Sequence, residues 1–132
     1  MSFLLDTDIC SAYLKNESRV VAQVMLHFGG LYVSAIGVGE LLTWALRKHA
    51  PSAREQSVRD FLAGCAILEI DAIIGERFGL ERARLFDQGI TVGEMDLLHA
   101  STALVHNLTL VTHNTSDYQH IPDLTVMDWL GA

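Results

Sequence analysis

Short apolar runs alternate along this chain with longer amphipathic stretches, the pattern of strands separated by helices. Phe3-Leu4-Leu5, closed by Asp6-Thr7-Asp8, predicts a buried strand with polar side chains at its C-terminal end. Ile9 to Leu14 predicts a short helix before the polar break Lys15-Asn16-Glu17-Ser18. Ser18 is placed to cap a second helix reaching about His27, in which Val20, Val21, Val24, Met25 and Phe28 recur at helical spacing. Gly29-Gly30 stops it. Leu31-Tyr32-Val33 predicts a second strand, and Ser34 opens a helix to about His49, ahead of the breaker Ala50-Pro51-Ser52.

The alternation continues. Ala53 to Gly64 has a helical pattern, and Ala66 to Ile70 predicts a third strand. Asp71 is placed to cap a helix running to about Asp87, and a further helix spans about Met95 to His106. Leu108 to Thr112 predicts a fourth strand, and Thr125-Val126-Met127 a last one. Strands this short between helices imply an α/β fold with a mostly parallel sheet and right-handed crossovers. No composition shift divides residues 1–132, so a single domain is expected. Strand order is not readable from the pattern.

Composition narrows the function classes. Half of the 132 residues are hydrophobic, which excludes a disordered chain. Nine Lys and Arg against sixteen Asp and Glu leave a net charge of −7, which excludes a uniformly basic nucleic-acid coat but not a local basic patch or a metal-mediated contact. Cys10 and Cys65 have no metal-ligand spacing and form no disulfide framework, so both read as core side chains. No secretory leader and no membrane-length apolar run is visible, and a cytoplasmic setting without membrane association is expected.

The acids carry the chemical signal. In open parallel sheets, sites form beyond the C-terminal ends of strands. Asp6 follows the first strand, Asp117 lies shortly after the fourth, Glu40 falls within two turns of the helix after the second, and Asp96 opens the helix entering the fourth. Carboxylates converging there repel by about 4 kcal/mol per pair at 4 Å and an effective dielectric near 20. No Lys or Arg stands beside them in sequence. Mg²⁺ or Mn²⁺ is the economical compensation, and such an ion can activate water and stabilise charge on a phosphodiester. The same residues also fit separate structural roles, Asp6 and Asp96 as caps and Asp117 in an Asx turn. Thr112 and Asn114, at a strand exit, either orient a carboxylate or serve the turn.

Other candidates are weaker. His99, His106, His113 and His120 recur every seven residues, but a predicted strand separates them and the spacing of a structural zinc site is missing. His99, three residues after Asp96, is a minor candidate for the site's edge. Gly37 and Gly39 lack a phosphate-loop fingerprint and read as close-packing positions. Trp44 and Trp129 belong to no aromatic-basic stripe and read as packing residues. Arg47, Lys48, Arg54, Arg59, Arg77, Arg82 and Arg84 are divided between solvated charge and contact with RNA, and the sequence does not select among them.

Four segments together resemble a known family. Leu4-Leu5-Asp6-Thr7-Asp8, Gly39-Glu40-Leu41, Asp96-Leu97-Leu98-His99-Ala100 and Leu110-Val111-Thr112-His113-Asn114-Thr115-Ser116-Asp117-Tyr118 resemble, in order and spacing, PIN-domain ribonucleases of the VapC toxin type. The resemblance implies a PIN-like three-layer sandwich with a roughly five-stranded, mostly parallel sheet. It implies a Mg²⁺- or Mn²⁺-dependent endoribonuclease acting on structured RNA such as tRNA or rRNA, thereby inhibiting translation. Asp6, Glu40, Asp96 and Asp117 take the catalytic and metal-binding roles by similarity, with Thr112, Asn114 and the extra acid Asp8 as support. A homodimer and a small VapB-type antitoxin are the implied partners, with DNA reached only indirectly through the toxin–antitoxin complex.

This chain departs from the family pattern at Asp8, where Asn is frequent, at His113 and Ser116, where basic residues are common, and at Tyr118, where Phe is frequent. The lost positive charges bear on RNA affinity more than on metal binding. Two other readings compete: a PIN-like module binding RNA or protein without catalysis, and a receiver-like phosphoacceptor domain. The receiver requires a Lys after its last strand, and no Lys follows Lys48.

Overall fold

The computed structural model describes residues 2–131. Five strands, β1 (Phe3–Leu5), β2 (Leu31–Ser34), β3 (Ala66–Leu68), β4 (Thr109–Val111) and β5 (Val126–Met127), form one parallel sheet in the order β3-β2-β1-β4-β5. Six helices connect them: α1 (Thr7–Leu14), α2 (Ser18–Leu26), α3 (Ala35–Leu46), α4 (Arg54–Ala63), α5 (Ala72–Asp87) and α6 (Glu94–His106). The result is the three-layer α/β sandwich expected from the alternating pattern.

The central strand β1 is buried on both faces, as a parallel strand between helical layers must be. Phe3 and Leu5 join one core with Ile9, Val20, Val33, Leu41 and Val58, beneath α1 to α4. Leu4 faces the other, with Leu85, Leu97, Ala100, Leu110 and Tyr118, beneath α5 and α6. Because β1 pairs with β2 on one side and β4 on the other, the chain crosses over between them and brings the ends of three strands to one rim.

Several local signals act as the sequence indicates. Ser34 accepts from the Gly37 amide and Asp71 from the Ile74 amide, each capping its helix. Others differ. Glu17, not Ser18, occupies the N-cap of α2, without a side-chain cap bond. Helix α3 stops at Leu46 because Arg47 turns extended, φ −62° and ψ 151°. Val20 and Val24 of α2 are committed to the core, whereas Met25, Leu26 and Phe28 are exposed. A Cβ on Gly37 would meet Val33 Cγ1 at 2.9 Å, so close packing does explain that glycine, but nothing lies within 4 Å of the corresponding point at Gly39.

No helix among the described residues is long and apolar enough to cross a membrane.

Candidate metal centre

The rim where β1, β2 and β4 end is built by three helix starts. Asp6 has extended backbone at the N-cap of α1, accepts from the Thr7 amide at 2.8 Å and is buried. Its other oxygen, Oδ2, accepts from Thr112 Oγ1 at 2.9 Å and from the Tyr118 hydroxyl at 3.3 Å. Thr112 follows β4, so this bond joins residues 106 positions apart across the β1–β4 pairing.

Glu40 lies on α3 and is half-buried. Its Oε1 accepts from Thr7 Oγ1 at 2.7 Å and sits 2.8 Å from His99 Nε2. His99 on α6 is 1% exposed, so nearly every polar atom around it belongs to the protein. Its Nε2 also lies 3.6 Å from Asp6 Oδ1, and its Nδ1 is 3.2 Å from Ser34 Oγ. Nε2 donates to the Glu40 carboxylate, and Ser34 Oγ, which also accepts from the Gly37 amide, holds Nδ1 on the other side of the ring. Gly37 thereby serves the site twice, admitting β2 and approaching the His99 ring to 3.8 Å.

Asp96, in the first turn of α6, is tied to Asp6 by the hydroxyl of Tyr118, which reaches Asp96 Oδ1 at 3.3 Å. Asp117 occupies an exposed 3₁₀ turn, Thr115–Tyr118, and among the described residues its side chain makes no hydrogen bond. The turn replaces the Asx turn the sequence permits, and it delivers Tyr118 to the two acids. Asp8 accepts from the Ile9 amide at 2.8 Å and the His113 amide at 3.0 Å, stitching α1 to the loop after β4. Asn114 contributes its backbone amide to Thr112 Oγ1 at 3.1 Å; its side chain makes no hydrogen bond among the described residues.

The electrostatics follow from burial and crowding. Burial, reinforced by the charges of Asp6 and Asp117, raises the Asp96 carboxyl above its ordinary range. Burial and the Asp6 charge do the same to Asp8. The hydrogen bond from His99 holds Glu40 below the usual range. Burial depresses the His99 imidazole, but its bond to Glu40 and the charges of Asp6, Glu40 and Asp96 outweigh that and raise it. Burial and the two flanking acids push the Tyr118 phenol far up, so it stays a neutral donor.

Asp6, Glu40 and His99 each offer a ligand atom within 4.8 Å of the others, an arrangement able to hold a divalent cation. The oxygens suit a hard ion, and no Lys or Arg among the described residues pairs with Asp6, Glu40, Asp96 or Asp117. The rim therefore carries negative charge that only one imidazole offsets.

His99, Thr7 and Tyr118 are the residues that sequence reading under-weights. The i, i+3 relation of His99 to Asp96 is a signal for the first. Nothing in the sequence links Thr7 to Glu40 or Tyr118 to two acids. The four periodic histidines do not meet: His106 and His120 are exposed, and His113 pairs with Asp128 at 3.0 Å.

Fold and site together define a parallel α/β sandwich with an acidic rim able to hold a divalent cation, and comparison with known proteins gives the family. The PIN domain model matches residues 3–124. The chain is 30% identical over 130 residues to a tRNA(fMet)-specific endonuclease VapC of Shigella flexneri, with 98% of both proteins covered. It is 30% identical over 138 residues to ribonuclease VapC2 of Rickettsia felis, again with 98% of each covered. Among solved structures, DNA-bound VapBC from Salmonella typhimurium superposes with a TM-score of 0.91 at 28% identity, covering 98% of each chain. VapBC2 from Rickettsia felis bound to a promoter DNA fragment gives 0.90 at 26%, covering 98% of this chain and 99% of that one. The chain belongs to the PIN-domain family, in its VapC-type toxin–antitoxin branch.

Proposed function

We propose that this chain is a single PIN domain over residues 1–132 acting as a Mg²⁺- or Mn²⁺-dependent endoribonuclease toxin. Its substrate is structured RNA, a tRNA or rRNA, and its cleavage inhibits translation. The observation that carries the reading is the partly buried acidic rim, which brings Asp6, Glu40 and Asp96 to the ends of β1, β2 and β4 without a Lys or Arg partner. The names of curated relatives, a tRNA(fMet)-specific endonuclease among them, support RNA as the substrate.

Asp6, Glu40 and Asp96 hold the ion, and Asp117, whose charge acts on Asp96, completes the pocket's negative field. A bound Mg²⁺ or Mn²⁺ would supply activation of water and stabilisation of charge on a phosphodiester. The chain's own residues supply orientation. Thr112 and Tyr118 fix Asp6 through Oδ2, while Thr7 and His99 fix Glu40 through Oε1, which leaves Glu40 Oε2 without a hydrogen-bond donor among the described residues. Ser34 holds the far side of the His99 ring, setting where Nε2 points. Asp8 and the Asn114 amide brace the loop that carries Thr112.

A homodimer and a small VapB-type antitoxin complete the proposal, with DNA engaged only through the antitoxin. DNA-bound VapBC complexes among the solved relatives support an antitoxin partner and an association with DNA. The exposed Met25, Leu26 and Phe28 supply apolar area for one of these contacts.

Cleavage-site mapping on total RNA from cells expressing the wild type beside Asp6→Asn and Asp96→Asn tests the reading. Discrete new RNA ends are expected for the wild type, and none for two folded variants. Equal cleavage by all three proteins, in preparations controlled for contaminating nuclease, refutes it.

A further inference from the structure

Most of the chain's cations are already occupied. Of its nine Lys and Arg, Arg19 pairs with Glu17, Arg59 with Glu55, Arg82 with Glu94, and Arg77 and Arg84 with Glu81. The four others, Lys15, Arg47, Lys48 and Arg54, make no ion pair among the described residues, and they share one place. Lys15 caps the C-terminus of α1, Arg47 caps that of α3, Lys48 follows it, and Arg54 begins α4.

Trp44 lies beside two of them, with Arg47 and Lys48 three and four residues further along the chain. The Arg54 guanidinium lies 4.2 Å from the centroid of its ring and the Lys15 ammonium 5.7 Å. Arg54 also donates to the Trp44 carbonyl at 3.4 Å. Two adjoining hollows open here, one of about 210 Å³ floored by Trp44 and Lys15, the other of about 240 Å³ between Arg47 and Lys48, with Arg54 on the wall of both. In three dimensions, Trp44 therefore belongs to the aromatic-basic surface that the linear sequence lacks.

Helices α1 and α3 link this surface to the candidate metal centre. Helix α3 carries Glu40 and, one turn on along the same face, Trp44, with Arg47 about 10 Å beyond Glu40 at about 1.5 Å per residue. Helix α1 likewise starts at Asp6 and ends at Lys15. Two packed helices thus run from an acidic rim to a patch of unpaired cations. A net charge of −7 disfavours approach of an RNA backbone to the molecule as a whole, so a cluster of unpaired cations is the place where it is opposed least.

We propose that Lys15, Arg47, Lys48 and Arg54, arrayed around Trp44, form the surface that binds the backbone of the RNA substrate and leads it along α3 to the acidic rim. The assignment rests on the nuclease reading for the identity of its ligand. An acidic protein segment is the competing occupant. The row of point charges flanking an aromatic ring along the path to the rim favours a polyphosphate strand, whose binding depends strongly on salt.

The test measures binding separately from cleavage. Fluorescence anisotropy of a labelled hairpin RNA against Asp6→Asn, with and without Arg47→Ala/Lys48→Ala, gives affinity and its salt dependence. Removing two phosphate contacts is expected to weaken binding at least about 10-fold and to lower the slope of log K against log salt by about 1.4 to 1.8. Arg19→Ala/Arg59→Ala, in the same background, removes equal charge from paired positions and is expected to change affinity less than about 3-fold. Equal losses in the two double variants, an unchanged slope for Arg47→Ala/Lys48→Ala, or no RNA binding by the parent overturns the proposal. So does loss of antitoxin binding alone. Wild-type cleavage, assayed in parallel, separates the two readings. Cleavage with an unaltered salt slope sinks only this surface, whereas salt-dependent binding without cleavage sinks only the nuclease.

Discussion

Two buried acidic groups in this molecule are handled in opposite ways. Glu81, in the middle of α5, is fully buried, yet its two oxygens are met by Arg77 and Arg84 from the same helix, at i−4 and i+3. Asp6 at the strand rim is nearly as buried but faces three other acids or their hydrogen-bonded neighbours, and no guanidinium or ammonium reaches it. The contrast separates a carboxylate neutralised by its own helix from carboxylates that wait for a cation. A structural acid is neutralised within its own element, and the cost of burying it is met locally. At the rim, Asp96 and Asp8 are both raised by burial and by the charge of Asp6, so the compensation is incomplete without an added cation.

Substitutions at the two places should therefore split activity from stability. The largest effect is expected for Asp6→Asn, which should cut RNA cleavage by at least about 10²-fold, the scale of removing one preorganised electrostatic group. Initial rates on a mapped RNA site measure it. Next comes Glu81→Ala, expected to leave metal affinity unchanged while lowering unfolding free energy by about 2–3 kcal/mol in urea titrations. That figure lies below the roughly 3–5 kcal/mol of a fully buried broken pair, because both guanidiniums reach solvent.

Asp96→Asn should invert the pattern. A raised carboxyl is one whose charged form is disfavoured by folding, so its contribution to stability is present at low pH and declines as pH rises. Neutralising it is expected to stabilise the metal-free protein at pH 7 by about 0.5 kcal/mol, kept small by partial exposure. The same variant should lose the thermal upshift that the wild type gains from Mg²⁺. Melting curves in chelator and in excess Mg²⁺ measure both, and destabilisation in chelator contradicts the argument.

The smallest effect concerns the two cysteines, whose thiols are shifted mainly by burial. Burial pushes the Cys65 thiol up to about 11 and Cys10 well above its ordinary value. Both are neutral when folded, so their contribution is intact below the unfolded thiol range near 8.5 and is lost as pH climbs toward the folded values. The melting temperature should fall between about pH 8.5 and 11, and a Cys10→Ala/Cys65→Ala variant should show a shallower decline than the wild type.

The parts of this contrast that lie in local sequence were legible there. Apolar triplets ending in acids mark β1 and its rim, and the caps Ser34 and Asp71 mark two helix starts. The acids themselves could be located, because their positions at strand and helix ends follow from chain order. Their partners could not. Thr7 meets Glu40 across 33 residues, Ser34 meets His99 across 65, and Tyr118 meets Asp6 across 112, all consequences of a strand order that short apolar runs do not encode. Asp117 illustrates the converse: its place after β4 is read correctly, but the 3₁₀ turn aims Tyr118 inward and leaves the acid exposed. Trp44 shows the same limit at the surface, since its cations arrive from three helices.

Calorimetric titration of Mn²⁺ into the metal-free wild type, Asp6→Asn and Glu81→Gln compares the two acidic groups in one experiment. Saturable binding by the wild type and Glu81→Gln, with at least a 10-fold loss in Asp6→Asn, is the expected result. Equal binding by all three proteins, or a loss confined to Glu81→Gln, contradicts the assignment of the rim as the metal centre.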